Sequence, residues 1–288
     1  MVKPLSKYFI IILLILLLVE LIFQVKSRQF DGVIMQDNED YEYIAVAHQH
    51  IARKGRNISY NSLSMRSAEP DTAKLKVLAF GDSIINGGEA VDDDSLATSL
   101  LNTAFNDRYQ FLNISAGSWG PDNCFAYLKK HGHFDAKHII LFVSSHDAYD
   151  NMSLDGHAKF GSGKQYPSAL FTYLHRHLFS KLNAETQKTT VVDSQQFNSG
   201  FEDFYSYCKN IGIPLTIYLH PELSELHQNQ YNSKGQEITQ FCKERNIRLI
   251  QALSYSITED CYLDHIHLNT KGQRKIADII KEALKDRL

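Results

Sequence analysis

The chain has 288 residues, a formal net charge of −3 and an isoelectric point near 6.5. The lysines and arginines are scattered, with no basic block, which excludes a nucleic-acid partner of the usual electrostatic kind. Six prolines, an ordinary apolar content and no biased tract or internal repeat exclude a disordered or low-complexity chain and leave room for one large domain.

The first element is apolar. Tyr8 to Val25 is broken only by Glu20 and Gln24, and as a helix it would run about 27 Å, close to the thickness of a bilayer core. Glu20 lies near the far end, where a carboxylate reaches the interface. Lys3 and Lys7 precede the stretch and Lys26 and Arg28 follow it, so basic residues are nearly balanced across it. A seven-residue head normally stays in the cytoplasm, which places the rest of the chain outside. A cleaved signal peptide is the rival reading, but the run is long for a signal core and no small-x-small pair follows it. The expectation is a single-pass protein of the cell membrane, residues 1–27 its anchor, with an extracytoplasmic (periplasmic) catalytic domain.

Residues 28–73 form a connector in which Glu42 to Ile51 fits a short helix. From Lys76 on, short apolar runs alternate with helical stretches. The expected strands are Lys76–Phe80, Gln110–Ile114, His138–Val143, Pro214–Leu219 and Arg248–Ile250. Helices are expected over Ser95–Phe105 with Ser95 as its candidate cap, Pro121–Lys130, Phe197–Asn210, Lys234–Arg245 and from a Thr270 cap to the C-terminus. Ser153 to Gln196 is the least readable part, with a helix near Ser168–Leu182. Strands separated by helices over about 210 residues define an α/β fold, a three-layer α/β/α sandwich around a central parallel sheet, spanning residues 74–288. In such sheets the site gathers at the C-terminal strand ends.

Four clusters fall at or near those ends: Gly81-Asp82-Ser83, Ser115-Ala116-Gly117, Ser144-Ser145-His146-Asp147 and Asp264-His265-Ile266-His267. A serine at a strand end in a tight turn can act as a nucleophile if a base takes its proton and an acid fixes the base's tautomer. Asp264 and His267, three residues apart, supply both. The Gly117 amide and the His146 side chain can donate to a developing oxyanion. Asp82 reads as a turn-forming residue. Asp147 and Asp150 can bind a substrate hydroxyl or cap a helix, and Trp119 can stack on a sugar ring or pack in the core.

The His-x-His pairs at His131/His133, His175/His177 and His265/His267 invite a metal reading. The first two lack a carboxylate pattern. Asp264-His265-Ile266-His267 is the better metal candidate, yet its place before the last helix suits a triad more than a metal pair. No metal and no cofactor is expected. Cys124, Cys208, Cys242 and Cys261 show no Cys-x-x-Cys spacing and read as buried thiols or as up to two disulfides.

In these motifs the chain resembles the SGNH hydrolase superfamily, the GDSL esterases, whose fold is a flavodoxin-like sandwich. Gly81-Asp82-Ser83, Gly117 and Asp264-x-x-His267 match in order and context, and Leu268-Asn269-Thr270-Lys271-Gly272 resembles the family's entry into its last helix. The resemblance implies Ser83 as nucleophile, His267 as base, Asp264 as its orienting acid, and an oxyanion hole from the amides of Ser83 and Gly117 plus a side chain of the third block. That block departs from Gly-x-Asn-Asp: Ser144 stands for glycine and His146 for asparagine. Asn61-Ser62-Leu63-Ser64-Met65-Arg66 resembles the lead-in of membrane-anchored members acting on envelope polysaccharides. Three functions fit: an esterase removing acetyl or similar groups from an acylated envelope glycan or lipid, an O-acyltransferase working beside membrane proteins of polysaccharide assembly, or a glycan-binding module with a decayed site.

Overall fold

The computed structural model describes residues 4–30, 32–105, 108–153, 168–171, 174 and 196–285. Helix α1 (Pro4–Phe30) contains a 19-residue apolar span, Lys7–Val25, long and apolar enough to cross a bilayer. Its Glu20 accepts hydrogen bonds from Ser168 Oγ (2.7 Å) and from the amides of Ala169 (2.7 Å) and Leu170 (3.2 Å). Residues 169–171 are helical, and most of the expected Ser168–Leu182 helix, with His175 and His177, lies outside the described residues.

The connector departs from expectation. Glu42–Ile51 is not a helix; the segment folds into two antiparallel hairpins, β1 (Met35–Asn38) with β2 (Glu42–Ala45), and β3 (His50–Arg53) with β4 (Arg56–Ser59). Left-handed backbone at His48 (φ 57°) interrupts any helical run, and Lys54-Gly55, both at positive φ (49° and 74°), form the two-residue turn that fits strand twist.

The rest forms a five-stranded, wholly parallel sheet. In chain order its elements are β5 (Leu75–Gly81), α2 (Ser83–Asn86), α3 (Ala97–Ala104), β6 (Tyr109–Ser115), α4 (Pro121–His131), β7 (His138–Ser144), α5 (Gly200–Ile211), β8 (Leu215–His220), α6 (Leu223–Gln228), α7 (Ser233–Glu244), β9 (Arg248–Gln251) and α8 (Thr270–Leu284). The strand order is β6-β5-β7-β8-β9, the flavodoxin-like arrangement, with its switch point between β5 and β7. The register aligns Gly81 with Ser115 and Ser144 with His220, so the strand ends share one rim.

Alternation along the strands splits the core in two. Leu78 and Phe80 face one layer with Tyr127 of α4, Phe204 of α5 and Ile238 of α7. Val77 and Ala79 face the other with Leu101 of α3 and Ile276 and Ile280 of α8. Both faces being covered, β6 and β7 are buried at every residue; β7 is apolar from Ile139 to Val143, while β6 buries Gln110, Asn113 and Ser115 with their side chains hydrogen-bonded. The four cysteines are all buried free thiols, distributed over both layers.

Candidate active site

Ser83 is the first residue of α2, reached directly from the end of β5. Asp82 is buried and accepts the Ile84 amide (2.9 Å) as the cap of α2, the turn-forming role read from the sequence. Gly81 is required for the close approach of β7: a Cβ there would sit 2.8 Å from the Phe142 carbonyl oxygen.

The corner is held from three directions. The buried amide of Gln273 on α8 accepts the Ala97 N–H (3.0 Å) and donates to the Ile84 carbonyl (2.6 Å). It thereby caps α3, which the sequence assigned to Ser95, and ties the last helix to the turn bearing Ser83. Asn86 Nδ2 donates to the Ser115 carbonyl (3.1 Å), and Asn113 Nδ2 to the Ile85 carbonyl (2.8 Å). The fully buried guanidinium of Arg66 donates to the carbonyls of Asn86 (2.5 Å), Gly88 and Val91 (2.7 Å) and pairs with Asp93 (3.1 Å). The Asn61–Arg66 motif therefore braces, through Arg66, the segment that follows Ser83.

His267 and Asp264 lie on the loop before α8. His267 Nδ1 is 2.7 Å from Asp264 Oδ2, while Asp264 Oδ1 accepts the amides of Ile266 (3.0 Å) and His267 (2.8 Å). What burial the carboxyl has raises its pKa, but these hydrogen bonds and the imidazole outweigh that and hold it well below the usual carboxylate range. The loop is pinned to the end of β8 by Leu223 N donating to the His265 carbonyl (2.8 Å) and Tyr262 Oη donating to that of Pro221 (2.7 Å). His267 also helps to lower the pKa of Asp82, the residue before Ser83, against the burial that raises it. No hydrogen bond joins Ser83 Oγ to the imidazole among the described residues; such contacts commonly tighten only when substrate is bound.

Gly117 follows β6 and is exposed, with open space where a Cβ would stand. Its carbonyl accepts Tyr43 Oη (2.6 Å) from the β1–β2 hairpin. Trp119 is 1% exposed, donates its indole N–H to the Tyr43 carbonyl (2.9 Å) and packs edge-on against Tyr41. Of its two readings the geometry carries the packing one, because the ring is not presented to the cleft. Asp147 is likewise buried and accepts the Ser144 amide (2.6 Å), capping the turn after β7.

His146 is half-buried amid carboxylates. Its Nδ1 is 2.9 Å from Ser144 Oγ and 3.6 Å from Glu222 Oε1, and its Nε2 lies 3.6 Å from Asp147 and 4.0 Å from Asp82. Burial opposes a charge on the ring, but Asp147, Glu222, Asp82 and Asp150 overcome it and its pKa is pushed up to about 10. Glu222 was missed in the sequence; its signal was its place just after β8, at the same rim. The His131/His133 pair is structural: His131 stacks on Tyr127 (4.2 Å) and His133 Nδ1 is 3.1 Å from Tyr207 Oη.

A serine opening a helix at the switch point, across from an Asp–His pair before the last helix, defines a serine-type hydrolase of the SGNH class. The chain belongs to the GDSL-like lipase/acylhydrolase family, whose model matches residues 77–280, a span that holds Ser83, Gly117, His146, Asp264 and His267. Solved structures similar to the chain include TesA (14% identity, 74% of this chain and 99% of that one, TM-score 0.47). Others are a member of the lipolytic G-D-S-L family from Veillonella parvula (13%, 74% and 100%, 0.42) and a carbohydrate acetylesterase family member from Sinorhizobium meliloti (13%, 73% and 97%, 0.40). No curated protein matches the sequence.

Proposed function

We propose that the protein is a serine-dependent ester hydrolase of the acetylesterase type. It removes acyl groups from an envelope glycan at the outer face of the membrane that α1 anchors. The observation that carries the reading is the Asp264–His267 pair: a 2.7 Å hydrogen bond to Nδ1 leaves Nε2 free to act as base toward the cleft that holds Ser83.

In this mechanism His267 Nε2 takes the Ser83 hydroxyl proton as Oγ bonds to the ester carbonyl carbon. Asp264 stabilises the imidazolium that results. The oxyanion is met by the amides of Ser83 and Gly117 and by His146, whose N–H takes the place of an asparagine amide. The C–O bond to the sugar breaks as His267 returns the proton to the departing hydroxyl, leaving an acyl-Ser83. Water, deprotonated by the same imidazole, then releases the acid. Residues 28–73 belong with the catalytic domain in this reading, since Arg66 and Tyr43 brace the nucleophile turn and the Gly117 loop.

Transfer to a glycan hydroxyl instead of water is favoured by one observation. The hairpin that holds Gly117 begins a few residues after α1, which keeps the acyl-enzyme beside membrane-borne donors and assembly proteins. The chain is treated with a fluorophosphonate and weighed intact. One adduct, lost in Ser83→Ala, is expected; no adduct, or equal labelling of the variant, would overturn the reading. Acetyl gain on a supplied glycan against free acetate release then separates transfer from hydrolysis.

A further inference from the structure

The two sides of the His146 ring face different chemistry. On the Nε2 side stand two buried carboxylates, Asp147 Oδ1 at 3.6 Å and Asp82 Oδ2 at 4.0 Å. Asp147 is 1% exposed, and while its Oδ2 accepts the Ser144 amide, its Oδ1 accepts no hydrogen bond. A buried carboxylate oxygen left without a donor is costly, and it points at the place where the other two atoms converge. Ligand atoms of Asp82, His146 and Asp147 all lie within 4.8 Å of one another.

One imidazole nitrogen and two carboxylate oxygens are a donor set for a first-row divalent cation, with a fourth position open. Bonds of about 2.0–2.2 Å would set tetrahedral neighbours roughly 3.3–3.5 Å apart, so the 3.6 and 4.0 Å separations from His146 Nε2 to the two carboxylates need to contract by only a few tenths of an ångström. The opposite side of the ring completes the pattern. Nδ1 faces Glu222 Oε1 (3.6 Å) and Ser144 Oγ (2.9 Å), and a ligating histidine ordinarily donates its remaining N–H to such a carboxylate or oxygen. An asparagine at position 146 would offer an amide there but no ring nitrogen, which gives the histidine a reason to be present.

We propose that Asp82, His146 and Asp147 bind one Zn²⁺ at the edge of the oxyanion hole, with Glu222 as a positioning residue behind His146. Without the ion, His146 donates from Nε2; with it, the ion occupies that face and supplies positive charge to the same oxyanion. The site rests on the placement of these side chains, and it stands or falls separately from the acyl chemistry of Ser83.

The full chain in detergent, stripped with a chelator, is titrated with Zn²⁺ against a chromophoric competitor and separately with Co²⁺. One ion per chain is expected, with visible Co²⁺ absorption bands. His146→Asn and Asp147→Asn should each weaken Zn²⁺ binding by about 100-fold or more, and Glu222→Gln by about 10-fold, while His265→Ala, at the exposed neighbour of Asp264, should bind as the parent does. Fluorescence of the buried Trp119 establishes that each variant is folded, and His146→Asn carries the test should Asp147→Asn unfold. Binding below one ion per chain, parent-like affinity in folded His146→Asn, or loss of the ion in His265→Ala would each overturn the site. Fluorophosphonate labelling of the same ion-free and loaded samples reports on Ser83 independently. Labelling without Zn²⁺ binding removes the metal site alone, and binding without labelling in either sample removes the esterase reading alone.

Discussion

Gln273→Met tests whether α8 and the turn bearing Ser83 are tied together as described. The Gln273 amide is fully buried and serves two backbone groups of the nucleophile region, the Ala97 N–H and the Ile84 carbonyl. Methionine matches glutamine closely in length and volume, so little cavity is left and the change reports on the two polar groups. The Ala97 amide is the first of its helix and has no partner within it. Leaving a buried group unsatisfied costs about 1–3 kcal/mol, so the pair should lose roughly 2–4 kcal/mol. For a domain of this size that is a fall of about 5–15 °C in Tm. Trp119 is the single tryptophan and is buried in the α/β domain, so its fluorescence during urea or thermal unfolding follows this domain and not the apolar helix α1. Gln273→Glu keeps the acceptor for Ala97 but sets a carboxylate against the Ile84 carbonyl, and it should be at least as damaging. Because Ile84 follows Ser83, kcat should drop more than KM rises. A loss under about 0.5 kcal/mol in Gln273→Met, within the ordinary range of surface substitutions, would refute the bridge.

Four further outcomes are expected. Gly117→Ala should fold with parent stability, since open space receives the Cβ, yet lower kcat by intruding on the cleft beside its amide; unchanged esterase activity would remove Gly117 from the oxyanion hole. Tyr43→Phe should reduce the fluorophosphonate labelling rate several-fold by freeing the Gly117 carbonyl, with Trp119 fluorescence showing the core retained. Native protein should resist alkylation by iodoacetamide at pH 8, because all four thiols are buried and burial pushes Cys208 and Cys242 up to about 12; rapid modification before unfolding would contradict the packing. Asp264→Asn should abolish turnover, and its stability deficit should depend on pH. A carboxyl depressed in the folded state stabilises fully above its unfolded pKa, about 4, and loses that contribution as pH falls through the lower folded value. The deficit should therefore be whole at pH 6 and shrink on acidification, as measured by urea unfolding.

The parallel sheet was legible because its central strands carry short apolar runs covered on both faces. His138–Ser144 is buried throughout, and nothing in its sequence competes with that reading. The Asp264–His267 pair was legible because the two residues interact across one turn, where sequence spacing and spatial distance nearly coincide. What failed to show were contacts between distant residues. The cap of α3 comes from Gln273, 176 positions away, so Ser95 was the nearest plausible substitute. Glu222 meets His146 only because β7 and β8 pair in register from Ile139↔Leu215 to Ser144↔His220. The hairpins were hidden for a different reason: their strands are four residues long, and Ile44, Val46 and Ile51 fit a helical stripe as well as a strand face.

Those hairpins alter how the site is to be understood. The family match begins at residue 77, after both of them, yet Tyr43 holds the Gly117 carbonyl and Glu42 accepts Asn123 Nδ2 (2.9 Å), whose own Oδ1 accepts the Gly120 amide (2.9 Å). The loop after β6 is thus fixed from outside the matched span. Its geometry depends on a segment that begins where the apolar helix α1 ends. Displacement of that segment relative to the sheet would be felt first at the Gly117 amide, before it reached Ser83, which Gln273 and Arg66 secure independently. Labelling of Ser83 by a small phosphonate and turnover of a bulky glycan ester should therefore respond differently to shortening the segment between α1 and β1, with turnover the more sensitive of the two.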